Sequence, residues 1–307
     1  MKYKDSDIQV FFSVDDRYCP FLAVAIQSIV DNASKDNTYY LNILHTYISE
    51  HNKEHLVKYE SDNIHIDFVN LSEYVGALND KLYTRDYYSK TTYFRLFIPE
   101  LFKDMKKALY IDSDIVVMDD IANLYNVDLG DNLVGAVPDM TVALVPEFVD
   151  YVERVIGVSS YKKYFNAGVM LMNLEAMREF KFEEKFIYML SIVKYEVAQD
   201  QDYLNRMCKG RVKILPYEWN RMPIEKENTD KEHVKLVHYN LAFKPWHFEN
   251  ILFQEYFWKY AGETEYLDEI EIIKKNFTEE DRIKGEVSNQ KLIELAAKQT
   301  DCVGYEK

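Results

Sequence analysis

Short apolar runs rich in strand formers alternate with helical segments through the first half of the chain, and this alternation narrows the fold more than any other feature. Residues 8–14, 40–45, 64–69 and 108–111 read as strands. Between them, Pro20 opens a helix whose apolar face carries Leu22, Ala25, Ile26 and Ile29. Ser49 caps a polar helix with Glu50 in its first turn, and residues 89–101 read as a helix ending near Pro99. Strands separated by helices predict a mostly parallel sheet covered by helices on both faces.

The second half adds predicted strands at residues 133–137, 167–173, 212–215 and 234–238. Helices are expected around 148–155, 182–194 and 201–207. No internal repeat or low-complexity linker interrupts it. Near Gly262 the composition shifts to charged residues, with helical periodicity at Leu267, Ile270 and Ile273 and again at Leu292, Leu295 and Ala296. The expected organisation is one domain over residues 1–262 and a helical C-terminal extension over 263–307. The extension is expected to bear on partner choice, association or stability rather than on the chemistry of the first domain.

Apolar residues make up 48% of the 307, enough for a sizeable core. The 25 Tyr and 17 Phe suit partly wet, sugar-binding surfaces, and equally a codon-biased genome. A net charge of −15 argues against a nucleic-acid partner, which would need a basic face. An acidic chain that binds an anionic nucleotide needs local neutralisation, which a divalent cation supplies. Cys19, Cys208 and Cys302 are scattered and odd in number, so they read as free thiols of a reducing compartment. With no signal peptide and no apolar stretch of about 18 residues, the expected location is cytoplasmic, without a stable membrane span. Peripheral contact with the inner membrane face stays open.

Four segments carry candidate chemistry. In Ala108-Leu109-Tyr110-Ile111-Asp112-Ser113-Asp114, two carboxylates stand two apart at the end of an apolar strand. Positions i and i+2 of an extended segment face one side. Converging carboxylates repel unless a cation sits between them, and a hard divalent ion suits them. Read alone, the pattern is equally a solvated strand-to-turn corner. Asn166 and Gly168 precede a buried strand, where an amide can bond sugar hydroxyls and glycine lets the backbone approach closely. Gln199-Asp200-Gln201-Asp202 opens a helix, where an Asp is ordinarily a cap. His238 ends a strand and is followed by Lys244-Pro245-Trp246-His247, a set able to complete a metal site and bind phosphate.

Together these segments resemble glycosyltransferase family 8, which includes lipopolysaccharide galactosyl- and glucosyltransferases and the glycogenins. The resemblance runs from Phe12-Ser13-Val14-Asp15-Asp16-Arg17-Tyr18 through Ser89-Lys90-Thr91-Thr92-Tyr93-Phe94-Arg95-Leu96 and the Asp112-Ser113-Asp114 segment. It continues through Phe165-Asn166-Ala167-Gly168 and Gln199-Asp200-Gln201-Asp202 to Lys244-Pro245-Trp246-His247. It implies a GT-A type αβα sandwich and a retaining, metal-dependent hexosyltransferase that uses a UDP-sugar and an acceptor hydroxyl on a glycan, lipid-linked or protein substrate. It implies Mn²⁺, with Mg²⁺ as substitute, held by Asp112, Asp114 and His238. Asp15 and Tyr18 would bind the base; Arg95, Asp112, Asn166 and Asp200 the donor hexose; Gln201 would lie beneath the anomeric carbon; Lys244 would meet the diphosphate. Arg17 departs from the Asn that galactosyltransferase-like members carry there. Same-face attack by the acceptor is favoured over a covalent Gln201 adduct, and Asp200 is the alternative covalent candidate.

Other features read as structural. His51 and His55 share a solvated helix face, since Asn52 stands where a zinc-protease Glu would be. Met170 and Met172 read as core, and Glu279-Glu280-Asp281 as a helix start. The rival readings are a haloacid-dehalogenase-like phosphatase, which also places D-x-D after a strand, and a non-catalytic nucleotide-sugar binding module.

Overall fold

The computed structural model describes residues 3–76, 90–224, 233–241 and 243–304. Nine strands are found among them: β1 (Ile8–Ser13), β2 (Tyr39–His45), β3 (Ile64–Asn70), β4 (Lys107–Ile111), β5 (Ile115–Val117), β6 (Val134–Pro138), β7 (Phe165–Asn173), β8 (Val212–Ile214) and β9 (Leu236–His238). Seven form one sheet in the order β3-β2-β1-β4-β7-β6-β8, and β5 pairs with β9 in a second. In the large sheet only β7 runs against its neighbours, pairing antiparallel with both β4 and β6. The sheet is therefore mostly parallel, as expected.

The helices are α1 (Cys19–Asn32), α2 (Glu50–Val57), α3 (Ser72–Gly76), α4 (Ile98–Leu101), α5 (Ala122–Tyr125), α6 (Pro146–Tyr151), α7 (Leu174–Glu179), α8 (Phe182–Ile192), α9 (Asp200–Met207), α10 (Gln254–Ala261), α11 (Leu267–Asn276) and α12 (Glu279–Gly304). Alternate strand residues face opposite layers. Leu109, Ile111, Val169 and Leu171 pack with α1, α10 and α11, whereas Ala108, Tyr110, Met170 and Met172 pack with α7, α8 and α9. Both faces of the sheet are covered, so its strands read as continuous apolar runs. Met170 and Met172 are core, as read.

Two of the expected elements differ in form, and β5, α3, α5, α7 and α10 were not expected. Residues 90–97 form a 3₁₀ helix, and Pro99 then lies in the first turn of α4 instead of ending a helix. A proline needs no N–H there and its φ suits a helix start. Ser89 lies outside the described residues. The helix expected at 148–155 is α6 followed by a π turn over Val152–Ile156 that ends at Gly157 with φ 77°.

The C-terminal helices pack on both layers. Ile270 of α11 is buried on the α1 side, and Ala296 of α12 on the other, flanked by Leu292 and Leu295. Thr278 and Asp281 exchange hydrogen bonds at the start of α12, as the acidic run there suggested. No helix among the described residues is long and apolar enough to cross a membrane.

Candidate active site

The D-x-D segment bridges the two sheets. Asp112 still holds the β7 register, its N–H donating to the Gly168 carbonyl at 2.8 Å. Asp114 precedes β5, which pairs with β9 so that Ile115 lies opposite His238. The Asp114 carbonyl accepts from the Tyr239 N–H at 2.9 Å. Helix α1 anchors this small sheet: Ser28 Oγ accepts from the Val117 N–H at 2.9 Å, and Asn32 donates to the Val117 carbonyl at 3.1 Å. These pairings bring His238 to the carboxylates across more than a hundred residues of sequence.

Ligand atoms of Asp112, Asp114 and His238 all lie within 4.8 Å of one another. His238 Nε2 is 3.2 Å from Asp114 Oδ1 and 3.8 Å from Asp112 Oδ2. The imidazole tautomer follows from a chain that starts at a backbone donor. The Gly168 N–H donates to Asn166 Oδ1 at 2.9 Å, which fixes that amide. Asn220 Nδ2 donates to the same oxygen at 3.0 Å, so Asn220 Oδ1 is left facing His238 Nδ1, also at 3.0 Å. Nδ1 therefore donates to Asn220, which leaves Nε2 as the nitrogen that faces the carboxylates and can ligate a metal. Asp114 Oδ1 is buried and has no hydrogen-bond partner among the described residues. A carboxylate oxygen and an imidazole nitrogen that converge in this way are a donor set that suits a divalent cation. Burial works to raise the pKa of Asp114, but Lys244 and His238 outweigh it and hold the group well below the usual carboxylate range. Gly168 leaves the needed room: a Cβ there would overlap His238 Cε1 and come 2.6 Å from Asp112 Oδ2.

Around this trio lies a cavity of about 780 Å³ lined by all ten residues singled out from the sequence: Asp15, Tyr18, Arg95, Asp112, Asp114, Asn166, Asp200, Gln201, His238 and Lys244. Arg95 is buried, pairs with Asp112 Oδ1 at 3.1 Å and Asp200 Oδ2 at 3.0 Å, and lies over the Tyr110 ring. Burial raises the Asp200 pKa to about 6 against the pull of Arg95. Asp200 is not a cap: Gln199 holds that position, at φ 49° and ψ −117°, without a side-chain capping bond. This turn, in a sparsely populated backbone region, leads directly into Asp200 and Gln201. Lys244 pairs with Asp114 and lies 5.4 Å from the centre of the Trp246 ring, which is itself stacked on Phe21 at 4.0 Å. Asp15 caps a short 3₁₀ turn and meets the Arg17 guanidinium at 3.2 Å, so the departure at position 17 bears directly on this carboxylate.

The model of the family described as "Glycosyl transferase family 8" matches residues 9–250. The chain belongs to glycosyl transferase family 8. Among its relatives, a lipopolysaccharide 1,2-glucosyltransferase of Escherichia coli K12 is 29% identical over 78% of this chain and 73% of its own length. Of solved structures, the galactosyltransferase LgtC with donor and acceptor sugar analogues superposes with a TM-score of 0.67 at 30% identity, covering 84% of this chain and 96% of LgtC. The bifunctional glycosyltransferase WbbM gives a TM-score of 0.77 at 29% identity, over 89% of this chain and about half (52%) of WbbM. This family 8 chain is a hexosyltransferase of glycan synthesis with a GT-A fold. Neither the phosphatase nor the non-catalytic alternative finds support. Its D-x-D and histidine form a candidate metal centre of the kind such transferases use.

Sequence reading missed Asn220, Asp139 and the contribution of the tail to the cavity wall. Asp139 accepts from both site amides, Asn166 at 3.1 Å and Gln201 at 3.0 Å. Ile273 of α11 and Leu292 of α12 line the same cavity. An Asp followed two residues later by Thr141 is a common turn pattern, and the Asp139–Thr141 bonds do form, so nothing marked it for a site. His51 and His55 meet at 4.2 Å with their rings tilted by 49° on α2, outside the cavity lining.

Proposed function

We propose that this family 8 enzyme transfers glucose or galactose from its UDP derivative to a glycan hydroxyl with retention of anomeric configuration, using Mn²⁺ held by Asp112, Asp114 and His238. The observation that carries the reading is the convergence of Asp114 Oδ1 and His238 Nε2 at 3.2 Å, beside Asp112 and a lysine in one cavity. When bound, the ion neutralises the donor diphosphate and stabilises its departure.

The remaining work falls to side chains. Asp15 and Tyr18 face the base, and Lys244 supplies fixed positive charge where the leaving phosphate gains negative charge. Arg95, locked between Asp112 and Asp200, and Asn166, held by Asp139, present N–H donors to the hexose. Gln201 lies beneath the anomeric carbon. The acceptor oxygen bonds to that carbon on the face from which the phosphate leaves, and the acceptor proton passes to the departing phosphate oxygen. A glutamine amide is a weak nucleophile and Asp200 is committed to Arg95, so this same-face route is preferred to a covalent adduct. An active-site glutamine was replaced by glutamate in another structure of LgtC, which supports a role for a glutamine in the family.

The test is nucleotide release from UDP-glucose, UDP-galactose and their N-acetyl forms with Mn²⁺. Release from glucose or galactose donors that stops in excess EDTA is expected. Equal release in EDTA, or none from either hexose, overturns the reading.

A further inference from the structure

We propose that Asp202, acting through Tyr164, is a positioning residue that fixes which end of the Gln201 amide faces the sugar site. This rests on the reading that Gln201 lies beneath the anomeric carbon.

Asp202 is fully buried and its side chain is absent from the cavity wall. Its Oδ1 accepts from the Tyr164 hydroxyl at 2.7 Å; its Oδ2 accepts from the Tyr151 hydroxyl at 2.9 Å and the Ala198 N–H at 2.8 Å. All three partners donate, so the ionised carboxylate uses both oxygens inward and is not disposed to attack a sugar. Burial raises its pKa to about 6, and the three donors gathered on its oxygens favour the ionised form.

The consequence runs outward. A phenol has one proton. Tyr164 gives it to Asp202, so toward Gln201 it can only accept. Gln201 Nε2 donates to it at 3.3 Å and to Asp139 Oδ2 at 3.0 Å. On the other side of the amide, Gln201 Oε1 accepts from the Ala167 N–H at 2.9 Å, a bond whose direction cannot reverse. Three partners thus agree on one orientation. Removing the Asp202 charge frees the Tyr164 proton to turn toward Gln201, where it would compete with that orientation. Asp202 is therefore to the glutamine what Asn220 is to the histidine: a buried group that sets the polarity of its neighbour's hydrogen bonds.

The experiment uses the full chain with Mn²⁺ and the donor that releases nucleotide fastest, comparing Asp202→Asn, Tyr164→Phe and Gln201→Ala. Tyr164→Phe removes one hydroxyl and keeps the ring, so it remains informative if Asp202→Asn fails to fold. Expected is a fall in kcat of at least tenfold in Tyr164→Phe and in any folded Asp202→Asn, with donor KM within twofold of wild type. Combining Tyr164→Phe with Gln201→Ala should give no further loss beyond Gln201→Ala alone. If Gln201→Ala cripples turnover while Tyr164→Phe keeps wild-type kcat, the positioning role is wrong and the place of Gln201 stands. A Tyr164→Phe whose KM and kcat shift together also overturns it. If Gln201→Ala itself keeps wild-type turnover, the underlying reading has failed instead.

Discussion

Asn220 Oδ1 lies 3.0 Å from His238 Nδ1, and that contact decides which imidazole nitrogen faces Asp112 and Asp114. The polarity is inherited from the Gly168 N–H through Asn166, so a glycine in β7 sets the tautomer of a histidine in β9.

Replacing Asn220 with Leu should therefore weaken divalent-ion binding about 10- to 100-fold, the usual effect of removing the partner that orients a ligating histidine. Isothermal titration of Mn²⁺ into the protein with UDP present measures it. Wild-type affinity in a folded Asn220→Leu variant would mean that Asn220 does not hold the ring.

Gly168→Ala should abolish metal-dependent UDP binding. The added Cβ overlaps His238 Cε1 and crowds Asp112 Oδ2. Overpacking of this kind typically costs about 1–3 kcal/mol, so the variant should fold with a modest fall in melting temperature. UDP binding equal to wild type would show that the three ligands can spread without loss.

Asp202 gives stability a pH dependence whose sign is opposite to that of a salt-bridged carboxylate. Its folded pKa, about 6, lies above the ordinary 3.8 because burial disfavours the charge. The folded protein therefore holds this proton more tightly than the unfolded chain. That stabilising contribution is full below pH 3.8 and is lost as pH rises through 6. Asp202→Asn removes this titration. The stability advantage of wild type over Asp202→Asn should thus grow as pH is lowered through 6, measured by urea unfolding on either side of that value. A constant difference would contradict it.

The tail prediction is one of stability. Ile270 is fully buried against the α1 layer, so Ile270→Ala should cost about 2–5 kcal/mol. Donor hydrolysis per folded molecule should stay unchanged. A loss under 0.5 kcal/mol in urea unfolding would mean that α11 is held only loosely.

Much of this site was legible in the sequence, for reasons that differ by residue. The D-x-D pair was visible because it follows a strand whose apolar run is continuous, but the bend at residues 113–114 that joins β4 to β5 was not. Gly168 was legible as a close approach, though what it approaches was not. Strand direction was not legible: nothing in the apolar pattern of β7 says that it opposes its neighbours. The β5–β9 pairing was equally hidden, since each strand has three residues and the partners are far apart in sequence. Asn220 follows a 3₁₀ turn at Tyr217–Trp219, and a lone buried amide carries no periodic signal. Asp202 read as part of a helix start, and only the fold shows two tyrosine hydroxyls converging on it.

The central claim is hexosyl transfer with retention, and proton NMR of the glycoside product tests it most directly. Given an α-linked UDP-hexose, Mn²⁺ and an acceptor, the new anomeric proton should show the small coupling of an α-linkage. A β-anomeric signal from the same donor would contradict the account.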